Sequence, residues 1–464
     1  MATATHYDAI IIGAGQAGGP LATALGQSGR KTAIIERKHV GGTCINEGCT
    51  PTKTMVASAK AAYMARRGAD YGVNTGQISV NMTTVRKRKR DIVDSFRNGS
   101  QSRLENSKNV DLLMGEATFV APKALEVHMN DSSVRQLTAD LIFINTGERP
   151  STPQLPGLDE VLYLDSTSIM ELDVVPEHLI VIGGGYIGLE FGQMFRRFGS
   201  KVTIVQRGMQ LLKREDTDIA EEVTKILRED GVEVLLETNT SHVTKDADGT
   251  IHLTVKTHNG ESRTIDGTHL LAGTGRTPNT DKLNLGVTGI ETDKKGYIRV
   301  NDTLETNVPG IYALGDVKGP PAFTHISYDD FRIIRTNVIE HGHASIKDRL
   351  VPYTVFIDPQ LGRVGITETE AKQQGLNFKV AKMPMNYVAR ALEVDEPRGM
   401  MKAIVDPDTK HILGCAILGI EGGEIMSMLE IAMMGKVPYT MLEEGVFAHP
   451  TLAESLNTLF GMVE

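Results

Sequence analysis

Two cysteines, Cys44 and Cys49, stand five positions apart in the run Gly41-Gly42-Thr43-Cys44-Ile45-Asn46-Glu47-Gly48-Cys49-Thr50-Pro51-Thr52-Lys53. A disulfide needs its Cα atoms about 4.4–6.8 Å apart. Four intervening residues can curl to that distance, and Gly48 eases the bend. Pro51 suits the first turn of a helix and Thr50 can cap it. This predicts Cys49 at a helix N-terminus, where the peptide dipoles favour a thiolate. Such a pair can pass two electrons by opening and closing a sulfur–sulfur bond. Two other readings share the spacing. Zinc would need three or four ligands, and no Cys or His pair flanks the run; an inert buried pair is the other. The remaining cysteine, Cys415, sits in Leu413-Gly414-Cys415-Ala416-Ile417-Leu418 and reads as a small apolar residue of a buried strand.

Just upstream lies a glycine fingerprint, and it occurs twice. Residues 8–38 recur without a gap 170 positions later as residues 178–208. Each copy reads as strand, glycine turn, amphipathic helix and strand, the opening of a dinucleotide-binding βαβ unit. One such motif is weak evidence; two in register are strong. In the first copy Gly13 allows the tight turn, Gly15 lets backbone approach a pyrophosphate, and Gly18 permits close helix–strand packing. Glu36 ends the second strand, where its carboxylate can accept hydrogen bonds from an adenosine ribose. Gly183, Gly185 and Gly188 are the counterparts in the second copy, but the position matching Glu36 is Gln206, followed by Arg207. Loss of the carboxylate removes repulsion toward a ribose 2′-phosphate and favours NADPH, with NADH possible. Arg37 holds the same place as Arg207 in the first copy, so the arginine alone carries little. A thiol pair beside one dinucleotide cradle, with a second cradle downstream, suggests electrons moving from a nicotinamide through a flavin onto a disulfide.

The elements that must position these residues follow from the pattern. The 464 residues suggest about three domains. Residues 40–110 read mostly as helix and 111–149 as short strands, and Pro150 to Gly157 reads as a linker. From about residue 346 strands and helices continue without a nucleotide fingerprint. The expected division is residues 1–150 for FAD, 151–270 for NAD(P), 271–345 completing the FAD domain, and 346–464 as a third kind of domain. The fold class is α/β, with two Rossmann-like dinucleotide-binding domains and a C-terminal α+β dimerisation domain. A net charge of -9 argues against nucleic acid as the main partner. The basic run Arg86-Lys87-Arg88-Lys89-Arg90 reads as a solvated helix face. No apolar run approaches the roughly 20 residues of a membrane span. The start, Met1 to Asp8, has no basic leader. A cytoplasmic address is expected, where a close cysteine pair is more often catalytic or metal-binding than structural.

On these motifs the chain resembles the flavoprotein pyridine nucleotide–disulfide oxidoreductases, the group of glutathione reductase, dihydrolipoyl dehydrogenase and mercuric reductase. The likeness covers essentially the whole length. It implies an enzyme in which Cys44 is the interchange thiol that meets the substrate and Cys49 faces the flavin. It implies that Lys53 lies near the flavin and pairs with Glu190, and that Tyr186 gates the nicotinamide pocket. Gly42, Thr43, Ala117, Gly147 and Asp316 would also contact FAD, and Gly275 the nicotinamide nucleotide. His449-Pro450-Thr451 with Glu454 matches the family's acid–base motif. A histidine can take a proton from a thiol and return it to the leaving sulfur, and a carboxylate can orient it. In the family this dyad comes from the partner subunit, so a homodimer with shared active sites is implied. No resident metal is expected.

The acceptor expected is a small disulfide, an oxidant or a metal ion. Tyr387-Val388-Ala389-Arg390-Ala391-Leu392 and Ala448 to Asn457 resemble mercuric reductase and the reactive-chlorine-resistance flavoproteins. The ending Phe460-Gly461-Met462-Val463-Glu464 lacks the C-terminal cysteine pair of mercuric reductases, which in turn lack the base histidine. Dihydrolipoyl dehydrogenase is the alternative, and a flavin-bound redox sensor without turnover is the alternative from another class.

Overall fold

The computed structural model describes residues 4–464; the reading of the leader falls in part on residues 1–3, outside the described residues. Contacts divide the chain into two units, each assembled from separated segments. One comprises Met1–Thr54, Thr84–Ser151 and Gly275–Arg349; the other comprises Met55–Thr83, Thr152–Thr274 and Leu350–Glu464.

In the first unit the apolar, β-branched runs become β1 (Thr5–Ile12) and β2 (Thr32–Glu36), with helix α1 (Gly18–Gln27) between them. A short helix α2 (Gly42–Asn46) and helix α3 (Cys49–Arg66) follow, then α4 (Met82–Glu105). Strands β3 (Val110–Ala121), β4 (Ala124–Met129) and β5 (Val134–Ile144) complete the run. Residues 111–149 were expected as short strands, yet β3 has 12 residues and β5 has 11. Each strand serves two ladders. β3, β2, β1, β5 and the strand Ile311–Ala313 pair in parallel, while the far parts of β3 and β5 pair antiparallel with β4. One face of this sheet buries Ile10, Ile12, Phe119, Ile142 and Ile144; the other buries Ile11, Leu21, Leu25, Ile34 and Phe143. The alternation along β1 is that of a strand covered on both faces.

The second unit holds a four-stranded parallel sheet in the order His269–Ala272, His178–Ile182, Lys201–Val205, Glu233–Leu235. Helix α5 (Tyr186–Phe198) links the second of these strands to the third. A five-stranded antiparallel sheet runs Tyr353–Val355, Gln360–Gly365, Ile412–Gly419, Met400–Val405, Lys379–Pro384. Cys415 lies fully buried in its middle strand among Val364, Ala403 and Ile417, as the sequence predicts.

The basic run does lie on a helix, α4, but it is not one solvated face. Lys89 is buried, and Arg88 donates to the Thr54 carbonyl over 2.8 Å. Five consecutive helical residues are spaced 100° apart and wrap the whole cylinder, so at least one must turn inward. No helix among the described residues is long and apolar enough to cross a membrane.

Candidate active site

The first fingerprint turn is built by close backbone approach. Gly13 sits at φ +103°, and a Cβ on Gly18 would stand 2.2 Å from the Gly13 carbonyl oxygen. No side chain fits there, which is why the third glycine is needed. Glu36 accepts from the Ala14 N–H over 3.0 Å with one oxygen and from the Lys38 N–H with the other. The thiol run is tied to the same turn. Gly41 N donates to the Ala14 carbonyl over 2.8 Å, and Gln16 Nε2 donates to the Gly41 carbonyl. A Cβ on Gly42 would stand 2.8 Å from the Gly15 Cα. Gly42 is thus packed onto the cradle it was expected to serve, with Thr43 next to it.

Cys44 lies within α2 and Cys49 opens α3. The helix therefore starts two residues earlier than Thr50-Pro51 suggested: Thr50 is inside the first turn, and Cys49 is the first helical residue. Gly48 makes the bend between the helices, where a Cβ would meet the Thr43 carbonyl at 2.9 Å. The structure holds the pair as thiols. Cys44 is half-buried and Cys49 exposed. The hydrogen bond to Cys49 pushes the Cys44 thiol well above the ordinary thiol range, and burial adds to it, while Thr324 and Lys53 oppose the rise. The two thiols therefore do not ionise independently: a charge on one bears directly on the proton of the other.

Whether these residues fit a flavin dinucleotide can be tested on the polar groups they leave unmet. Asp316, on the turn Gly315–Lys318, has its carboxyl pushed up to about 6 by burial and by the charge of Glu148. Among the described residues no donor meets its side chain, whereas polyol hydroxyls would. Thr146 Oγ1, beside Gly147, is likewise buried without a hydrogen-bond partner. Gly147 itself faces open space. Ala117 is buried in β3, opposite Val127 of β4. The cradle, the unmet carboxylate and the clear approach fit the group.

The second cradle repeats the first. A Cβ on Gly188 would stand 2.1 Å from the Gly183 carbonyl oxygen, and Gly183 sits at φ +111°. Around Gly185, the residue meant to face a pyrophosphate, nothing lies within 4 Å of the Cβ position. Gln206 Oε1 accepts from the Gly184 N–H, which is the position 170 residues after the Glu36–Ala14 bond. The amide keeps that hydrogen bond and drops the charge. Arg207, Lys213 and Arg214 are exposed just beyond, and Leu212 N donates to the Gly184 carbonyl, folding this basic segment back on the turn. Tyr186 opens α5 and is exposed; Glu190, one turn on, is buried and accepts from Phe356 N over 2.8 Å. Gly275, at φ +133°, accepts from Ser151 N in the first unit. Lys53, half-buried on α3, is in the first unit, and Glu190 is in the second.

His449 and Glu454 do meet. The Nδ1 of His449 is 2.9 Å from one carboxylate oxygen of Glu454 and 3.0 Å from the other. Nδ1 donating to the carboxylate leaves Nε2 as the acceptor, the tautomer a general base requires. The imidazole is exposed. Exposed apolar side chains concentrate in the same segment: Met428, Ile431 and Met434 recur every three residues on the helix Gly422–Met434, with Met441 and Val446 beyond. A water-facing apolar stripe of this kind marks a protein interface.

Four polar contributors escape the sequence. Thr324 Oγ1 lies 3.6 Å from Cys49 Sγ. Asp330, fully buried, accepts from Gly315 N and pairs with Lys318 and Arg349, fixing the turn that carries Asp316. Glu148 pairs with Arg276 and accepts from the Tyr297 hydroxyl. Glu148 and Arg276 frame the Pro150 and Gly275 glycine–proline signals, but nothing local flags Thr324 or Asp330.

Comparison with known proteins agrees with this geometry. Residues 7–346 match the family model described as pyridine nucleotide-disulphide oxidoreductase, and residues 351–460 match its dimerisation domain. The probable pyridine nucleotide-disulfide oxidoreductase RclA of Escherichia coli (strain K12) is 37% identical over 464 residues, 99% of each chain. A mercuric reductase of Bacillus cereus is 36% identical over 452 residues, covering 97% of this chain and 70% of its own. A solved structure of the E. coli HOCl-induced flavoprotein disulfide reductase RclA, as a Cu(II) complex, superimposes with a TM-score of 0.90 over 99% of this chain and 100% of its own, at 36% identity. Two cradles, a thiol pair seated on the first and a matched dimerisation segment leave one assignment: the chain belongs to the pyridine nucleotide-disulphide oxidoreductase family of FAD- and pyridine nucleotide-using enzymes.

Proposed function

We propose that this enzyme passes electron pairs from NADPH to the Cys44–Cys49 disulfide and from there to a small thiophilic acceptor, either a metal ion of the Cu(II) kind or a small oxidised sulfur compound. The observation that carries the reading is the seating of the thiol run on the first cradle, through Gly41 N to the Ala14 carbonyl and the contact of Gly42 with Gly15. Bound there, the flavin would supply the two-electron relay between nicotinamide and sulfur. In this reading the segments 1–150 and 271–345 hold FAD through Gly13, Gly15, Gly18, Glu36 and Asp316. Residues 151–270 hold the nicotinamide nucleotide through Gly183, Gly185, Gly188 and Gln206, and 346–464 dimerise.

Cys44 attacks the acceptor and His449, supplied by the partner subunit, moves the proton; Glu454 orients the ring. Cys49 then closes the disulfide. For a disulfide acceptor the sum is one dithiol oxidised and two thiols released. For Cu(II), two ions are reduced to Cu(I) and two protons leave the dithiol. NADPH is favoured because Gln206 keeps the Gly184 bond without a charge, with Arg207, Lys213 and Arg214 exposed alongside. The RclA homologue's description as HOCl-induced and its Cu(II) complex support an oxidant or metal acceptor. A reducing compartment suits a catalytic pair among only three cysteines. An acceptor panel of lipoamide, oxidised glutathione, Hg(II), Cu(II) and hypothiocyanite at saturating NADPH tests the reading. Turnover with none of the five overturns it, and a preference for lipoamide by kcat/KM selects the dihydrolipoyl dehydrogenase alternative.

A further inference from the structure

We propose that Thr324 is a third member of the redox centre, a hydroxyl fixed at the start of a helix so that it donates to the Cys49 sulfur when the reduced pair carries negative charge. The inference rests on Cys44 and Cys49 being the redox pair. Thr324 is 275 positions from Cys49 in sequence, yet its Oγ1 stands 3.6 Å from the Cys49 sulfur, within sulfur hydrogen-bond range. The same hydroxyl is among the groups that work against the rise of the Cys44 thiol caused by Cys49 and burial.

The placement is rigid. Thr324 is the first residue of the 11-residue helix Thr324–Ile334. Two turns on, Asp330 anchors the helix through Gly315 N, Lys318 and Arg349. The preceding Phe323 ring is stacked on His325, with ring centroids 5.4 Å apart. A β-branched side chain has few rotamers, so the hydroxyl keeps its aim. The titratable groups acting on Cys44 are Cys49 and Lys53; Thr324 is the neutral one. Lys53 supplies charge, which has no direction. Thr324 supplies a directed hydrogen bond, the contribution that strengthens when its acceptor is ionised. Valine has the same shape and no donor, so it isolates this effect.

The experiment uses the flavin-loaded dimer, reduced anaerobically with NADPH. Iodoacetamide trapping is followed against pH, and the alkylated peptides are assigned by mass spectrometry; fully buried Cys415 stays silent in the folded protein. In Thr324→Val the pH midpoint for alkylation of the pair is expected to rise by about one unit, roughly tenfold slower trapping on the acid side, and in Thr324→Ser to return to within about 0.3 unit of wild type. Should the valine variant fail to hold flavin, Thr324→Ala against Thr324→Ser gives the same comparison. Superimposable profiles for the donor-less and wild-type proteins overturn the role of Thr324 while leaving the cysteine pair in place. If NADPH releases no trappable thiol in the wild type, the pair itself falls, and Thr324 with it.

Discussion

Cys44 and Cys49 share a side chain and differ in surroundings. One sits within a short helix, half-buried, with its thiol pushed up; the other is exposed and opens an 18-residue helix, where the proposed cycle puts the charge. Cys49→Ser is therefore expected to abolish the long-wavelength absorbance of the two-electron-reduced enzyme, and Cys44→Ser to keep it; anaerobic titration with NADPH distinguishes them. His449→Ala should slow acceptor reduction by about 10²–10⁴-fold and leave flavin reduction nearly intact in stopped-flow traces. Asp316 gives a pH signature. Its carboxyl is raised from 3.8 to about 6, so the folded flavin-free protein holds that proton more tightly than the unfolded chain. Its contribution to stability is present at low pH and lost as pH climbs through that window. The Tm advantage of flavin-free Asp316→Asn over flavin-free wild type should accordingly widen between pH 3.8 and about 6, and close when flavin is restored. At this scale legibility follows sequence distance. His449 and Glu454 are five residues apart and could be paired on paper; Thr324 reaches Cys49 across 275 residues, with no local pattern to announce it.

Among the elements, the two fingerprint turns are near copies, down to the bond from residue 36 to 14 and from 206 to 184. Gln206→Glu would keep that bond and restore a carboxylate. The expected result is a fall of about tenfold or more in kcat/KM for NADPH with NADH less affected, read from steady-state rates. The glycine spacing and the β-branched runs made both units readable, because a turn with a 2.1–2.2 Å Cβ contact tolerates nothing else. The edges were less readable. The start of α3 moved two residues, from Pro51 to Cys49, and the basic run on α4 wrapped inward at Lys89. Nor does the sequence signal that residues 55–83 group with segments beyond residue 151. Such contacts come from packing, which local periodicity does not encode.

For the molecule as a whole, the matched dimerisation segment and the exposed stripe of Met428, Ile431 and Met434 give each chain a second copy to meet. If the base is lent across that interface, mixing inactive Cys44→Ser and His449→Ala proteins and allowing subunits to exchange should restore about a quarter of the wild-type rate, since half the dimers then own one intact site of two. Sites confined to single chains would restore nothing. The hydrogen bond from Gly41 to Ala14, and the glycine contact behind it, carry one last consequence. The nucleotide loop and the sulfur loop are bonded to each other, so filling the first should steady the second. Deflavinated protein should lose its thiols to a passing electrophile faster than the loaded enzyme, the yellow cofactor acting as a brace and a shield for the cysteines.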